Sequence, residues 1–258
     1  MTSAGRRIAL VVEYEGTHYG GSQLQKNAPS IQAALESALA KLTREQTRVA
    51  FAGRTDAGVH AIGQVAAFNT SSELGTEVFV RGLNAWLPDD VAVRRAVEVD
   101  STFDPRRHAS SRTYRYTIAN VPVRSPLWRK RAWQVAEPLD ENTMQRAATA
   151  LAGEHDFAAF SRREGVRTVR CVRRCDVRRR GALVTVEIEA NAFLRQQVRR
   201  TVGALVQVGL GKLSLRALNA LLKRAEPNTA GPVAPAHGLC LMAVTYPGLD
   251  LTDTNALS

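Results

Sequence analysis

The 258-residue sequence holds only three cysteines, Cys171, Cys175 and Cys240. They are too few and too unevenly placed for a disulfide framework or for the close ligand pairs of a zinc site. Cys171 and Cys175 fall four apart on an expected strand, about 13 Å at the rise of extended chain, so they cannot bridge one another. All three are expected as reduced thiols. Long apolar runs are missing too: Ile8 to Val12 is far shorter than the core of a secretion signal. No stretch approaches the roughly 20 apolar residues that cross a bilayer, so the chain is expected in the cytoplasm, with no membrane partner. Low-complexity tracts and short-period repeats are absent. Acidic residues are scarce beside basic ones, 24 against 35, for a formal net charge of +11.

That imbalance is concentrated. From Pro105 to Arg131 there is no acid, while Arg106, Arg107, Arg112, Arg115, Arg124, Arg129, Lys130 and Arg131 all fall there. A second cluster holds Arg162, Arg163, Arg167, Arg170, Arg173, Arg174 and Arg178 to Arg180. Such a field draws polyanions, and nucleic acid is the first partner that it indicates. With 45% hydrophobic and 23% charged residues, the chain otherwise has the composition of an ordinary globular protein.

Periodicity predicts a strand over 7–14, a Gly-rich passage, and a helix over 31–42. In that helix Ser30 is the cap, and Ile31, Ala34, Leu35, Ala38, Leu39 and Leu42 lie on one stripe. A short strand ending near Ala52, a loop, a strand over 64–69, a helix over 78–87 and a strand over 91–99 follow. The order is β-α-β-β-α-β. From Thr113 it restarts: strand 113–119, helix 141–152, strands 168–177 and 182–189 joined by an Arg-Arg-Arg-Gly turn, helix 193–208 and strand 239–245. Ser214 caps an extra helix over 215–223. The expected fold is α+β, two ferredoxin-like halves whose mainly antiparallel sheets join edge to edge. Helices are expected on one side, with an open RNA cleft between the halves. The halves are expected as 1–105 and 106–246, with a frayed tail over 247–258.

The stretch with most chemistry is Phe51-Ala52-Gly53-Arg54-Thr55-Asp56-Ala57-Gly58-Val59-His60-Ala61. Glycines bracket a short charged loop between strands and allow a ligand to come close. The loop can present Asp56 beside the guanidinium of Arg54, which favours the ionised carboxylate. Read alone, Asp56 is equally a turn residue with Arg54 as its partner. A metal site is disfavoured, because His60 is the only nearby soft ligand and no second acid accompanies Asp56. A glycosidase would want a paired carboxylate, and the GxxxxGK phosphate loop is absent.

The nine residues Ala52 to His60 resemble the active-site signature of the bacterial tRNA pseudouridine synthase A family. The resemblance extends to Glu13-Tyr14-Glu15-Gly16, Arg112-Thr113-Tyr114-Arg115-Tyr116, Gly153-Glu154-His155-Asp156-Phe157, Asn191-Ala192-Phe193 with Val198-Arg199, and Gly238-Leu239-Cys240-Leu241. It implies an isomerase that converts uridine to pseudouridine at positions 38, 39 and 40 of the tRNA anticodon stem-loop. It implies no cofactor and no metal, tRNA as partner, and a homodimer. By the same resemblance Asp56 is the catalytic nucleophile or base, and Arg199 pairs with it. Tyr114 stacks on the target base, Leu239 packs its other face, and Arg54 fills the space that a flipped nucleotide leaves. His60 and His155 are expected as scaffold.

Two departures stand out. The family usually shows Gly-Trp-Gln after Tyr19-Gly20, whereas this chain has Gly21-Ser22-Gln23-Leu24-Gln25, in a loop expected to touch RNA. Leu194-Arg195-Gln196-Gln197 lacks the usual methionine before Val198. The alternative function is a non-catalytic RNA-binding protein on the same fold. A base-releasing glycosylase is disfavoured by the missing second acid.

Overall fold

Five successive apolar residues, Ile8 to Val12, are buried on both faces, the mark of a central strand. They sit in β1 (Arg6–Tyr14). The computed structural model describes residues 5–161, 165, 167–224 and 226–251. The expected arginines Arg162 and Arg163, and the tail beyond Leu251, lie outside the described residues. The chain divides into two compact units. One is built from the chain up to Ser110 together with the stretch from Leu241 onward, the other from Ser111–Cys240.

In the first unit β1 is followed by α1 (Ile31–Thr43), β2 (Ala50–Phe51), β3 (His60–Thr70), α2 (Thr76–Asn84) and β4 (Val91–Val99). The Ser30 hydroxyl accepts the N–H of Ala33 at 3.2 Å, and Arg44 in the left-handed region (φ 63°) ends α1. Ile31, Leu35, Ala38 and Leu39 form its buried stripe. The sheet runs β4-β1-β3, antiparallel throughout, with the two residues of β2 on the outer side of β3. β3 is longer than its apolar centre predicts because it begins at His60, directly after the signature loop. The core gathers Phe68 and Phe79 edge to face at 5.6 Å, an arrangement worth about 1 kcal/mol beyond burial.

The second unit holds β5 (Ser111–Ala119), β6 (Trp133–Gln134), α3 (Glu141–Thr149), β7 (Gly153–Asp156), β8 (Val169–Arg180), β9 (Leu183–Ala190), α4 (Gln197–Gly209) and α5 (Leu215–Arg224). Its sheet runs β5-β9-β8-β7, with β6 parallel to the end of β5. The final strand, β10 (Leu239–Thr245), starts in this unit and continues into the first, where it neighbours β3. Elements alternating in this way make the chain an α+β protein. Among the described residues no helix is long and apolar enough to cross a membrane.

Two expectations are corrected. The run Arg178 to Arg180 is strand, not turn: Arg180 still pairs with Leu183, and only Gly181 and Ala182 turn, with Gly181 at φ +58°. Positive φ suits glycine, so the turn needs one residue of the motif and β8 takes the rest. The helix expected from Phe193 starts at Gln197, because Gln196 is left-handed (φ 62°). The Gln197 amide oxygen instead accepts the Leu194 N–H at 2.8 Å. Beyond that point α4 is buried almost all round, and Gly203 lets the Pro232 carbonyl come so near that a Cβ would lie 1.9 Å from it.

Candidate active site and arginine surfaces

Burial alternates along the signature loop: Arg54 is exposed, Thr55 buried and Asp56 half-buried. Thr55 is the anchor. Its N–H donates to the Ser22 hydroxyl at 2.9 Å, its carbonyl accepts the Ser22 N–H at 3.2 Å, and its hydroxyl lies 2.8 Å from that of Tyr14. Gln64 of β3 closes the network, donating to Tyr14 Oη at 3.3 Å and to the Gly53 carbonyl at 3.0 Å. Ser22 and Gln64 are fully buried. Gln64 Oε1 is buried with no hydrogen-bond partner among the described residues, but each of these bonds, once broken, leaves a further group in a dry site, so the cluster resists deformation.

Beyond Thr55, the backbone of Asp56 bridges to Gly21 and its carbonyl accepts the Val59 N–H at 3.2 Å. Gly58 N–H donates to the Tyr19 carbonyl at 3.4 Å. The Tyr19 hydroxyl donates to Asp90 at 2.5 Å, and burial with that carboxylate raises the phenol well above its ordinary value. Arg54 makes no hydrogen bond or ion pair among the described residues, leaving its guanidinium available in solvent. His60 accepts the Gly16 N–H on Nδ1 at 3.0 Å, 3.7 Å from Glu15, and His155 Nε2 lies 2.9 Å from the Ala152 carbonyl. Both histidines thus bond backbone groups of their own unit. Among the described residues no group of three or more His, Cys, Asp and Glu is arranged to hold a metal ion.

The loop that carries Ser22 turns one residue inward: Ser22 is 0% exposed and bonds Thr55, while Leu24 is 43% exposed. Neither Ser22 nor Gln64 was singled out for the site from sequence. The signal for Ser22 was its departure from the family pattern; for Gln64, a lone amide amid the apolar residues of β3.

Tyr114, Arg199 and Leu239 belong to the second unit. Tyr114, on β5 opposite Ile188, is 8% exposed and meets Phe193 edge to face at 5.3 Å. Arg199, in the first turn of α4, donates from Nε to the Ala234 carbonyl at 2.7 Å, and its own carbonyl accepts the Ala234 N–H at 3.1 Å. Leu239, 6% exposed, opens β10. Just before it, Gly238 packs on Tyr116, where a Cβ would stand 2.6 Å from the ring. The Tyr116 hydroxyl donates to the Pro235 carbonyl at 2.8 Å, and burial raises its ionisation well above the usual range. Asp56 and Arg54 therefore share one loop of the first unit, while in the second Arg199 holds Ala234, Leu239 follows five residues later, and Tyr114 packs on Phe193.

The arginine clusters are not equivalent. Glu187 and Glu189 of β9 lie between β5 and β8 and bind their cations: Arg115 and Arg174 both reach Glu187, at 3.1 and 2.7 Å, and Arg173 reaches Glu189 at 3.4 Å. Arg174 also meets Asp176 at 3.2 Å, and Arg179 is held by Glu141 at 2.9 Å. Exposed pairs add little stability, about 0–1 kcal/mol each, but they cancel field. Arg124, Arg129 and Arg131 are different. They are exposed and have no ion pair among the described residues, beside exposed Leu127 and Trp128.

The family model described as tRNA pseudouridine synthase matches residues 10–106 and 147–247, and the chain belongs to that family. A tRNA pseudouridine synthase A of Pelobacter propionicus is 45% identical over 243 residues, covering 93% of this chain and 100% of its own. The Myxococcus xanthus protein of that name is 46% identical over 243 residues, covering 93% of this chain and 92% of its own. That of Roseiflexus castenholzii is 45% identical over 249 residues, with coverage of 94% and 91%.

Proposed function

We propose that this enzyme, an isomerase, converts uridine to pseudouridine at positions 38, 39 and 40 of the tRNA anticodon stem-loop, with Asp56 as its reacting carboxylate. The observation that carries the reading is the signature loop itself. A buried network fixes Thr55, and the residues on either side of it, exposed Arg54 and half-buried Asp56, are left at the surface.

The reaction is balanced without a co-reactant. The C1′–N1 bond breaks, the uracil turns, a C1′–C5 bond forms, the C5 proton leaves to solvent and N1 gains one. Asp56 begins ionised and acts either by adding to C1′ or by taking the C2′ proton. Arg199 is assigned as the cation that keeps it charged and oriented, Tyr114 and Leu239 as the apolar walls for the base, and Arg54 as the group that occupies the opened stack. Arg124, Arg129 and Arg131 are assigned to phosphates, which position an RNA without reading its sequence. Each unit is read as a ferredoxin-like half. The enzyme is read as a cytoplasmic homodimer, which would spread its basic surface over two chains.

The test is tritium release from tRNA labelled at uridine C5. The wild type is expected to release it, and Asp56→Asn to bind the same tRNA with unchanged affinity while releasing none. A silent wild type, or an Asp56→Asn variant of full activity, would overturn the assignment.

A further inference from the structure

We propose that Ser22 is a positioning residue for Asp56: by bonding both peptide groups of Thr55 it fixes where the next residue's carboxylate stands. The proposal rests on the reading of Asp56 as the reacting group.

The Thr55 N–H belongs to the peptide that joins it to Arg54, and the Thr55 carbonyl to the peptide that joins it to Asp56. Ser22 holds the first through its hydroxyl at 2.9 Å and the second through its N–H at 3.2 Å. A peptide group is planar, so holding that carbonyl sets the direction in which the chain enters Asp56. Ser22 is fixed in turn. Its carbonyl accepts the Gln32 N–H at 3.0 Å and the Gly21 carbonyl accepts the Ile31 N–H at 3.4 Å, both in the first turn of α1. The approach needs a glycine at 21, which has φ +123° and whose Cβ would lie 2.7 Å from the Thr55 carbonyl oxygen. A continuous relay of hydrogen bonds thus runs from the start of α1 through Ser22 and Thr55 to the Asp56 backbone.

The side chain is 0% exposed, which separates this role from RNA contact. Removing the hydroxyl leaves the carbonyl-to-N–H bond in place but frees the peptide between Arg54 and Thr55, with a buried donor unpaired. A reacting group displaced by about 1 Å costs on the order of a hundredfold in rate.

The experiment compares wild type, Ser22→Ala, Ser22→Cys and Asp56→Asn on one unmodified tRNA transcript. Single-turnover rate, tRNA affinity and thermal midpoint are measured for each. Ser22→Cys keeps the volume with a weak sulfur acceptor and carries the readout if Ser22→Ala does not fold. The expected result is a rate lower by about tenfold to a hundredfold in the serine variants, with tRNA affinity unchanged. An unchanged rate, even with a lower thermal midpoint, overturns the proposal, because Ser22 would then be structural only. So does a loss of affinity equal to the loss of rate, which would put Ser22 in RNA docking. Full activity in Asp56→Asn removes the reading of Asp56 instead, whereas a dead Asp56→Asn beside a fully active Ser22→Ala sinks the positioning role alone.

Discussion

Tyr14→Phe removes one oxygen from a site that is otherwise closed. Tyr14 is 3% exposed and Thr55 7%, and their hydroxyls lie 2.8 Å apart, with Gln64 Nε2 3.3 Å from the same tyrosine oxygen. The ring and its apolar contacts stay, so the loss is polar. A neutral buried hydrogen bond contributes about 1 kcal/mol net, and leaving its partner unsatisfied costs about 1–3 kcal/mol. Gln64 keeps its bond to the Gly53 carbonyl at 3.0 Å but loses the acceptor of its other amide proton, so Thr55 and Gln64 are both left short of a partner, and Tyr14→Phe is expected to destabilise by about 1–3 kcal/mol. Thr55→Val, the converse deletion, is expected to cost a similar amount. The double variant has no orphan at this contact and should cost little more than either single one, a coupling of about 1 kcal/mol. Urea unfolding of the four proteins, followed by circular dichroism and compared at equal m-value, measures the cycle. Additivity within about 0.3 kcal/mol would refute the shared bond and with it the network as the anchor of the loop.

Replacing Arg124, Arg129 and Arg131 together by Ala should weaken tRNA binding and flatten the plot of log affinity against log salt by about 2 to 3 units. The same triple change on the paired residues Arg115, Arg173 and Arg174 should move that slope far less, and filter binding across a salt series distinguishes the two. Cys175 is buried, and burial pushes its thiol up to about 12. It should therefore escape iodoacetamide in the native protein at pH 8, while half-exposed Cys171 and Cys240 react; peptide mass spectrometry reads the difference. Because the folded thiol holds its proton longer than the unfolded one, stability should fall as pH rises past the ordinary thiol value.

Elements with strong periodicity were legible in the sequence: α1 with its serine cap, and β1 and β4 almost to the residue. What escaped was decided by partners far along the chain. β6 and β7 are two and four residues long and exist only because β5 and β8 offer an edge to pair with, so no local pattern announces them. The start of α4 turned on a single left-handed Gln196, a conformation that composition does not signal. In the site, Asp56 and Arg54 were visible as a charged loop between glycines. Ser22 was visible only as a departure, and its inward orientation depends on a contact with Thr55, 33 residues away. The arginine clusters read as uniform basic surface, since their neutralising acids, Glu187 and Glu189, lie on the strand between them and outside both clusters.

The return of β10 to the first unit bears on the order in which the protein can be made. β3 gains β10 beside it only from Leu241 onward, and the stretch that follows is fastened by the Ser110 N–H to the Thr245 carbonyl at 2.8 Å and the Tyr246 hydroxyl to the Pro105 carbonyl at 2.7 Å. A nascent chain meets its ribosome with the opposite schedule. The unit that contains the amino-terminal strand emerges first, yet stays one strand short while residues Ser111–Cys240 are synthesised, a wait of roughly ten seconds at ordinary elongation rates. During that interval β3 keeps, apart from the two residues paired with β2, a flank that an extended segment can occupy, and the later unit, unbroken in sequence, is the one able to finish first.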